Sequence, residues 1–422
     1  MEAHRNRWLI ALSAIAIHLS IGSVYAYSVY QNPINDSLGW AITSVTLAFT
    51  VAIFFLGMSA AFMGKFVERN GPKKSALIST ALFVSGTFGA GLAIQLESIA
   101  MFVFFYGVVG GIGLGIGYIS PVSTLVKWFP DRRGLATGMA VLGFGAGALI
   151  TSPFAEFLMN QTSIHMTFYI LGTLYLVLMV SGASYLSPPP EGWKPENMQT
   201  DSERKQPRTV AVDLAQLTAN EALRTARFYF LWVMMFINIS AGIMLLAVAA
   251  NMTETITGAT SAFAATVVGV MGFFNGIGRI GWASFSDYIG RANMYIIFFI
   301  IQLGAFIALP FTTNEVAFSI LLYLIMTCYG GGFACLPAFI GDLFGTKQLG
   351  AIHGYTLTAW AMAGIVGPMA VSLTFERTGE FTSAFVLFTI LLAVALVTAI
   401  LMKINIKRVK SQKVDADSSV SA

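Results

Sequence analysis

The sequence predicts an all-α membrane protein with twelve transmembrane helices arranged as two pseudo-symmetric six-helix bundles. Three observations lead to this prediction: an apolar composition, an asymmetric placement of basic residues, and a pair of motifs repeated at one spacing. Of 422 residues, 56% are hydrophobic and 10% are charged, whereas a soluble domain carries about 25% charged residues. At about 20 residues per span, the apolar residues suffice for twelve helices. This composition excludes a soluble enzyme, a disordered chain and a nucleic-acid-binding protein.

Apolar runs separated by charged or turn-forming residues divide the chain into twelve predicted spans. These spans cover residues 8–30, 41–64, 74–95, 98–126, 134–157 and 165–186, then 226–250, 260–286, 292–311, 315–341, 350–374 and 381–403. A polar segment that begins with three prolines, Pro188 to Pro190, separates the two sets. The predicted organisation is a bundle at 1–186, a cytoplasmic linker at 187–225, a second bundle at 226–404 and a cytoplasmic tail at 405–422. A short amphipathic helix on the membrane surface is expected within 213–227.

The basic residues lie almost entirely on one side of the predicted membrane. If the N-terminus is cytoplasmic, 22 of the 24 Lys and Arg residues fall on cytoplasmic segments or span ends, the exceptions being Arg279 and Arg377. Cytoplasmic loops of membrane proteins carry this excess of positive charge. We therefore expect a multi-pass protein of the cell membrane, monomeric and surrounded by lipid, with both termini in the cytoplasm.

Two cytoplasmic turn motifs occur once in each half of the chain. The four segments read GKFVERNGPKK at 64–74, SDYIGR at 286–291, FPDRRGLATG at 129–138 and FGTKQLGAIHG at 344–354. Gly71 and Gly290 are 219 residues apart, and Gly138 and Gly354 are 216 apart. The nearly equal spacing indicates a duplicated six-helix unit, an organisation that many transporters share.

The turn motifs are also candidates for gating. Glycine permits a tight turn, and an acidic residue can cap the next helix or pair with a basic neighbour. We predict that these turns latch the two halves in one state of an alternating-access cycle, the alternative being that they only set the topology. The predicted gating residues are Gly64, Glu68, Arg69, Gly71, Lys73, Asp131, Arg132, Arg133, Asp287, Gly290 and Arg291.

The segment 64–74 resembles the signature cytoplasmic loop of the major facilitator superfamily, with Glu68 where that family usually has Asp. Within the superfamily, the segments 22–34, 113–138 and 275–291 are similar to the oxalate/formate antiporter family and to related monocarboxylate porters. The run KWFPDRRGLA at 127–136 is the most specific of these similarities. The resemblance extends over the whole chain and implies secondary transport by alternating access.

Arg279 is the basic residue that lies well inside a predicted span, away from its ends. An arginine in a membrane costs at least about 2.5–3.5 kcal/mol and normally has a partner. The residues one helical turn away are not acidic: Asn275, Gly276, Trp282 and Ala283. Because a guanidinium binds a carboxylate through two parallel hydrogen bonds, we predict that the counter-ion is a carboxylate substrate. The related monocarboxylate transporters place their carboxylate-binding Arg at this motif position. In the alternative, Arg279 reaches the cytoplasmic interface or binds backbone carbonyls.

Several polar and aromatic residues are further candidates for substrate binding. They are Asn275, Tyr118, Tyr329, Tyr25, Tyr27 and Trp360. The oxalate/formate family has a substrate-contacting Tyr at the position of Tyr118. Packing within the core or against lipid is the alternative for each aromatic residue, and an interhelical hydrogen bond is the alternative for Asn275.

The resemblance also bears on the substrate. Oxalate-exchanging members pair the Arg of span eight with a Lys in span eleven, at the position that Trp360 occupies here. One cation in the membrane matches one carboxylate, since a dianion would bring an uncompensated charge into a site of low dielectric. The predicted substrate is therefore a small monocarboxylate such as lactate, pyruvate, formate or acetate. An oxalate:formate type of exchange and a carboxylate sensor are the alternatives.

Proton symport is the predicted coupling. Animal monocarboxylate transporters have a titratable Asp where this chain has Asn275, so the proton needs another carrier. His18 and His353 are the candidates, and movement of the proton with the substrate through water is the alternative. No Cys/His grouping has metal-ligand spacing and no acid–base or nucleophile constellation lies in the predicted spans. We therefore expect no metal, no cofactor and no enzymatic activity.

Overall fold

The chain is helical throughout the part that the computed structural model describes, which comprises residues 5–40, 42–190, 192–193, 195, 214–378 and 380–420. In these ranges no β-strand occurs. Within the same described ranges, ten helices are long and apolar enough to cross a membrane. The predicted all-helical, multi-pass class is therefore confirmed, whereas the number of twelve spans and the side on which the termini lie stay predictions.

The first half of the chain begins with a discontinuous helix. Its α-helices are α1 (Arg7–Ile21), α2 (Ser28–Leu38), α3 (Ile42–Gln95), α4 (Ile99–Phe102), α5 (Gly111–Trp128), α6 (Arg133–Gln161) and α7 (Ile164–Tyr185). A 3-10 turn at Gly22–Ala26 separates α1 from α2. A π-helix at Val103–Gly110 joins α4 to α5. The predicted spans 8–30 and 98–126 are therefore built from pieces with different helical geometry.

The second half of the chain has longer continuous helices. They are α8 (Ala219–Ala222), α9 (Ala226–Thr257), α10 (Ser261–Ile289), α11 (Arg291–Ala308), α12 (Glu315–Phe344), α13 (Leu349–Thr378) and α14 (Thr382–Val420). A 3-10 turn at Leu309–Phe311 follows α11. The helix α14 continues through most of the predicted tail, because residues 403–420 contain no Gly or Pro that would end it.

The expected amphipathic helix at 213–227 is reduced to the single turn α8. Residue 213 lies outside the described residues, and an irregular stretch separates α8 from α9. Thr218 and Glu221 form a capping box at the start of α8. Hydrogen bonds from the Thr218 backbone N–H and hydroxyl hold the pKa of Glu221 below its usual value.

The turn glycines of the two repeats share one backbone conformation. The predicted spans 41–64 and 74–95 run as a single helix, α3, that is interrupted at Gly71 with φ 76° and ψ 167°. Gly290, between α10 and α11, has φ 84° and ψ 144°. Backbone angles in this region are available essentially to glycine alone. The predicted role of both glycines in a tight turn is therefore confirmed.

The chain divides into two compact units that do not coincide with its two halves. The first unit comprises Met1–Arg204 and Gly350–Ile365, and the second comprises Lys205–Leu349 and Val366–Ala422. The beginning of α13 therefore belongs with α1–α7. Within the first unit, a Cβ added to Gly64 would lie 2.5 Å from the Cα of Ala351. A Cβ on Gly354 would lie 2.7 Å from the carbonyl carbon of Ala60, so these glycines allow α3 and α13 to pack backbone to backbone. The predicted division into bundles, linker and tail stays a prediction.

Replacing Gly71 by Ala is expected to lower the free energy of unfolding by about 1–3 kcal/mol, because alanine is strained at this backbone conformation. Steric overlap does not contribute, since nothing lies within 4 Å of a Cβ added there. Thermal unfolding of the detergent-solubilised protein measures the effect. Gly269→Ala is the matched control, since Gly269 is helical and its added Cβ also meets open space. Equal melting temperatures for the two variants would contradict the strained turn.

Candidate functional site

The helix α10 places Asn275 and Arg279 one turn apart on one face. Arg279 is 1% exposed and Asn275 is 8% exposed. The Nε of Arg279 donates a hydrogen bond of 3.2 Å to Asn275 Oδ1. The guanidinium also lies over the Phe333 ring, 5.6 Å from its centroid. This burial disfavours the alternative in which the Arg279 side chain reaches the membrane surface.

Glycines hold α12 directly against this pair. A Cβ on Gly330 would lie 2.6 Å from Asn275 Oδ1 and 3.1 Å from the Cγ of Arg279. A Cβ on Gly278 would lie 2.6 Å from the Cα of Thr327. Since real Cβ atoms do not approach so closely, α10 and α12 need glycine at both positions. Sequence analysis missed Gly330, although the run of three glycines at 330–332 was an available signal.

Tyr329 lies beside Gly330 on α12 and is 1% exposed. Its ring packs 5.3 Å from the Phe333 ring, and a Cβ added to Gly242 of α9 would lie 2.6 Å from the Cγ of Tyr329. The Asn238 side chain donates to the backbone carbonyl of Tyr329 at 3.5 Å. Three predicted site residues of the second unit, Arg279, Asn275 and Tyr329, thus lie with Phe333 in one buried group, here called the arginine cluster.

A second buried group, here called the aromatic cluster, lies in the first unit. It contains Tyr118, Trp360, Tyr25, Phe144, His18 and His353. The centroid of the Tyr118 ring lies 5.2 Å from that of His18, 5.4 Å from Phe144, 5.5 Å from Trp360 and 5.7 Å from His353. Tyr25 joins through Phe144 at 5.0 Å and Trp360 at 6.3 Å. The structure therefore brings together three of the predicted aromatic residues, Tyr118, Tyr25 and Trp360, and both candidate proton carriers.

Close packing of α6 against the discontinuous first helix positions this cluster. A Cβ on Gly22 would lie 2.7 Å from the Cα of Phe144, and one on Gly147 would lie 2.9 Å from the carbonyl carbon of Gly22. The 3-10 turn begins at this contact. The turn changes the direction in which successive side chains point, and it places Tyr25 beside Phe144.

Tyr27 joins neither cluster. Its hydroxyl donates to the backbone carbonyl of Val45. Its ring packs against the rings of Phe49, Phe102 and Tyr106 at centroid distances of 5.5, 6.5 and 5.0 Å. Residues two positions apart on a helix do not face the same way, so Tyr27 has different surroundings from Tyr25. Substrate binding by Tyr27 stays a prediction from sequence, and Tyr27 is left out of the proposed site because it joins neither cluster.

The turn motif of the first unit carries partly buried polar contacts. Glu68 Oε2 forms an ion pair with Lys127 Nζ at 2.8 Å. Glu68 Oε1 accepts a hydrogen bond of 2.6 Å from the backbone N–H of Gly350, in the first turn of α13. Asp131 pairs with Arg7 at 2.8 Å. Glu68 thus contacts a basic residue and a helix N-terminus, but these are Lys127 of α5 and the start of α13 and not the basic neighbours or the next helix that the sequence suggested.

In the second unit, Arg291 makes the corresponding contacts. It forms ion pairs with Asp287 and with Asp342, the latter at 3.4 Å from Nε to Oδ2. It also donates to the backbone carbonyl of Ser286 at 3.2 Å. Of the remaining predicted gating residues, Arg133 is buried, whereas three are exposed: Arg69, Lys73 and Arg132. The gating role itself stays a prediction.

Comparison with known proteins agrees with this architecture. A sequence model described as Major Facilitator Superfamily matches residues 11–368 and 231–419. The oxalate:formate antiporter of Oxalobacter formigenes is 28% identical over 366 residues, which cover 86% of this chain and 83% of that protein. Monocarboxylate transporter 12 of Xenopus laevis is 24% identical over 407 residues, which cover 85% of this chain and 87% of that protein. The solved structure of the transporter FucP in its outward conformation aligns with a TM-score of 0.72 at 14% identity, over 93% of this chain and 98% of that one. This last likeness concerns the fold.

Replacing Glu68 by Ala is expected to cost more stability than replacing Lys127 by Ala. Loss of Glu68 leaves the Gly350 N–H without its charged acceptor, and a hydrogen bond to a charged group contributes about 1.5–3 kcal/mol. Loss of Lys127 removes only a partly exposed ion pair, which contributes about 0.2–1 kcal/mol. Melting temperatures of the two variants provide the measurement. An equal or larger loss for Lys127→Ala would contradict this ranking.

Proposed function

We propose that this chain, which belongs to the major facilitator superfamily, is a secondary transporter that carries a small monocarboxylate by alternating access. Lactate, pyruvate, formate and acetate are the proposed substrates, and proton symport is the proposed coupling. The observation that supports this proposal is the buried guanidinium of Arg279, oriented by Asn275 on the same face of α10. A cation in apolar surroundings attracts a carboxylate more strongly than one in water.

The relatives support the class of substrate. One is an oxalate:formate antiporter and another is a monocarboxylate transporter, so both are named for small carboxylates. The matched proteins are transporters, and this chain is a multi-pass membrane transporter and not an enzyme. The particular acid and its coupling are the parts that we propose.

The arginine cluster offers an oriented pair of donors. Because Asn275 accepts from Nε of Arg279, the plane of the guanidinium is held, and a carboxylate would bind Nη1 and Nη2 through two parallel hydrogen bonds. Phe333 covers one face of the guanidinium, which excludes water and adds a cation–π interaction. Tyr329 is the proposed orienting residue in the same cluster. Contacts of the substrate with Tyr118, Tyr25 and Trp360 stay predictions from sequence.

The lack of a cation at position 360 supports a substrate with a single negative charge. The resemblance places a second cation there in oxalate-exchanging members, whereas this chain has a buried indole 5.5 Å from the Tyr118 ring. An indole carries no positive charge, so it does not neutralise a second carboxylate. A monocarboxylate therefore fits this chain better than oxalate does.

Exchange of two organic anions is the second candidate. The relative that supports it is the oxalate:formate antiporter, at 28% identity over most of both chains. Trp360 opposes oxalate itself as a substrate, but it leaves open the exchange of one monocarboxylate for another. The two candidates differ in their need for a proton gradient and for an internal anion.

Arg279→Lys and Arg279→Ala are expected to lower kcat/KM for uptake about tenfold to a hundredfold, since a hydrogen bond to a charged group contributes about 1.5–3 kcal/mol. Lysine keeps the positive charge but cannot form two parallel hydrogen bonds. Uptake into proteoliposomes, at matched protein content and melting temperature, gives the measurement. Arg408→Ala, at an exposed arginine on α14, is the matched control and should transport like the unmodified protein. Full uptake by Arg279→Ala would refute the ligand assignment.

Proton symport predicts that radiolabelled L-lactate accumulates in proteoliposomes only under an inward proton gradient. Pyruvate, formate and acetate should compete with lactate, whereas oxalate and succinate should not. Uptake that does not depend on the proton gradient and that requires an internal anion would establish exchange instead. Competition by oxalate would show that Trp360 does not exclude a dianion.

A further inference from the structure

The two ring nitrogens of His18 each face a backbone carbonyl oxygen. His18 lies in α1 and is 0% exposed. Its Nδ1 is 2.8 Å from the carbonyl oxygen of Ala140 on α6. Its Nε2 is 3.1 Å from the carbonyl oxygen of Tyr118 on α5. One imidazole therefore connects three helices of the first unit.

These two contacts together constrain the protonation state of the imidazole ring. A carbonyl oxygen can only accept a hydrogen bond, and a neutral imidazole has one N–H donor and one lone pair. With a neutral ring, one of the two nitrogens would direct its lone pair at a carbonyl lone pair. Only the imidazolium, with a proton on each nitrogen, donates to both carbonyls. The geometry therefore fits the doubly protonated ring.

The ring contacts of His18 also favour a cation. The Tyr118 ring is stacked on the imidazole, with centroids 5.2 Å apart and an interplanar angle of 13°. An aromatic face attracts a positive charge at this distance. A buried charge is costly unless its surroundings compensate it. Here two carbonyl dipoles and one aromatic face provide compensation.

The titratable neighbours of His18 distinguish it from the other candidate. Among the described residues, α5 presents Tyr118, and the beginning of α13 presents His353, whose ring centroid lies 5.7 Å from that of Tyr118. The helix α6 contributes the Ala140 carbonyl and the Phe144 ring, and α7 packs against α1 through Gly182. Neither ring nitrogen of His353 has a hydrogen-bond partner in the described part of the chain. Among the described residues, His353 thus has no hydrogen-bond acceptor like the two carbonyls that face His18.

We infer that His18 is the proton-binding site of this transporter and that the described conformation is its protonated form. The inference rests on the proposed proton symport for its role in transport. The proton comes from water on one side of the membrane and returns to water on the other. Loss of the proton would turn one of the two hydrogen bonds into a repulsive contact, so proton occupancy and the packing of α1 against α5 or α6 would be coupled.

Nitrogen-15 NMR of histidine-labelled protein in nanodiscs tests the protonation state directly and needs no substrate. The chain has four histidines. A variant that combines His4→Gln, His165→Gln and His353→Gln leaves His18 as the only source of imidazole nitrogen signals. At about pH 7.5 an imidazole in water is mostly neutral. We expect two protonated ring nitrogens at His18 under these conditions. One protonated and one unprotonated ring nitrogen at His18 would overturn the assignment.

Transport by His18→Gln tests the role of the site. This variant should lose gradient-driven accumulation of lactate while it retains exchange of internal for external lactate, which needs no net movement of protons. His165→Gln, outside the aromatic cluster, is the matched control and should keep both activities. Accumulation by His18→Gln equal to that of the unmodified protein would overturn the inference. If the unmodified protein transports no monocarboxylate, the proposed function fails, and the NMR result still decides the proton site. If His18→Gln does not fold, the NMR result on the three-Gln variant decides it.

Discussion

Close approach of helix backbones at glycine is the constraint on which the rest of this structure depends. In a bilayer, lipid tails are as apolar as leucine side chains, so helices associate mainly through tight van der Waals packing and hydrogen bonds. Gly330 brings α12 against Asn275 and Arg279, and Gly22 and Gly147 bring the first helix against α6. Each contact lies beside one of the two clusters. The polar groups of both clusters therefore owe their positions to residues that carry no functional group.

Both clusters also contain a group that is costly to bury as a charge. Arg279 is held through Nε by an amide on its own helix, and its face is covered by Phe333. His18 is held through both nitrogens by backbone carbonyls on two other helices. The Asn275 amide and the two backbone carbonyls carry no formal charge, so these contacts orient the two groups through hydrogen bonds.

The two repeats show how a duplicated motif can diverge while its geometry is kept. Glu68 and Asp287 each stand three residues before a turn glycine with positive φ. In the first unit, Glu68 pairs with Lys127 at the end of α5. In the second unit, Asp342 occupies the corresponding position at the end of α12, and Arg291 pairs with both Asp287 and Asp342. The positive partner is therefore Lys127 at the end of α5 in the first unit and Arg291 at the start of α11 in the second. Each unit has an ion pair at this turn.

The sequence by itself determined the membrane class, the two turn glycines and the residue that carries the proposed function. Composition sets the class because a bilayer admits long apolar helices, and a charge within such a helix is conspicuous in any single sequence. The irregular segments were beyond prediction, because the apolar run that predicts the span 8–30 does not reveal the 3-10 turn at Gly22–Ala26 that interrupts it. Tertiary structure also decided which histidine has acceptors for two protons. The acceptors of His18 are backbone carbonyls 100 and 122 residues away along the chain. Because every residue has a backbone carbonyl, the sequence does not show which of them will face a given side chain.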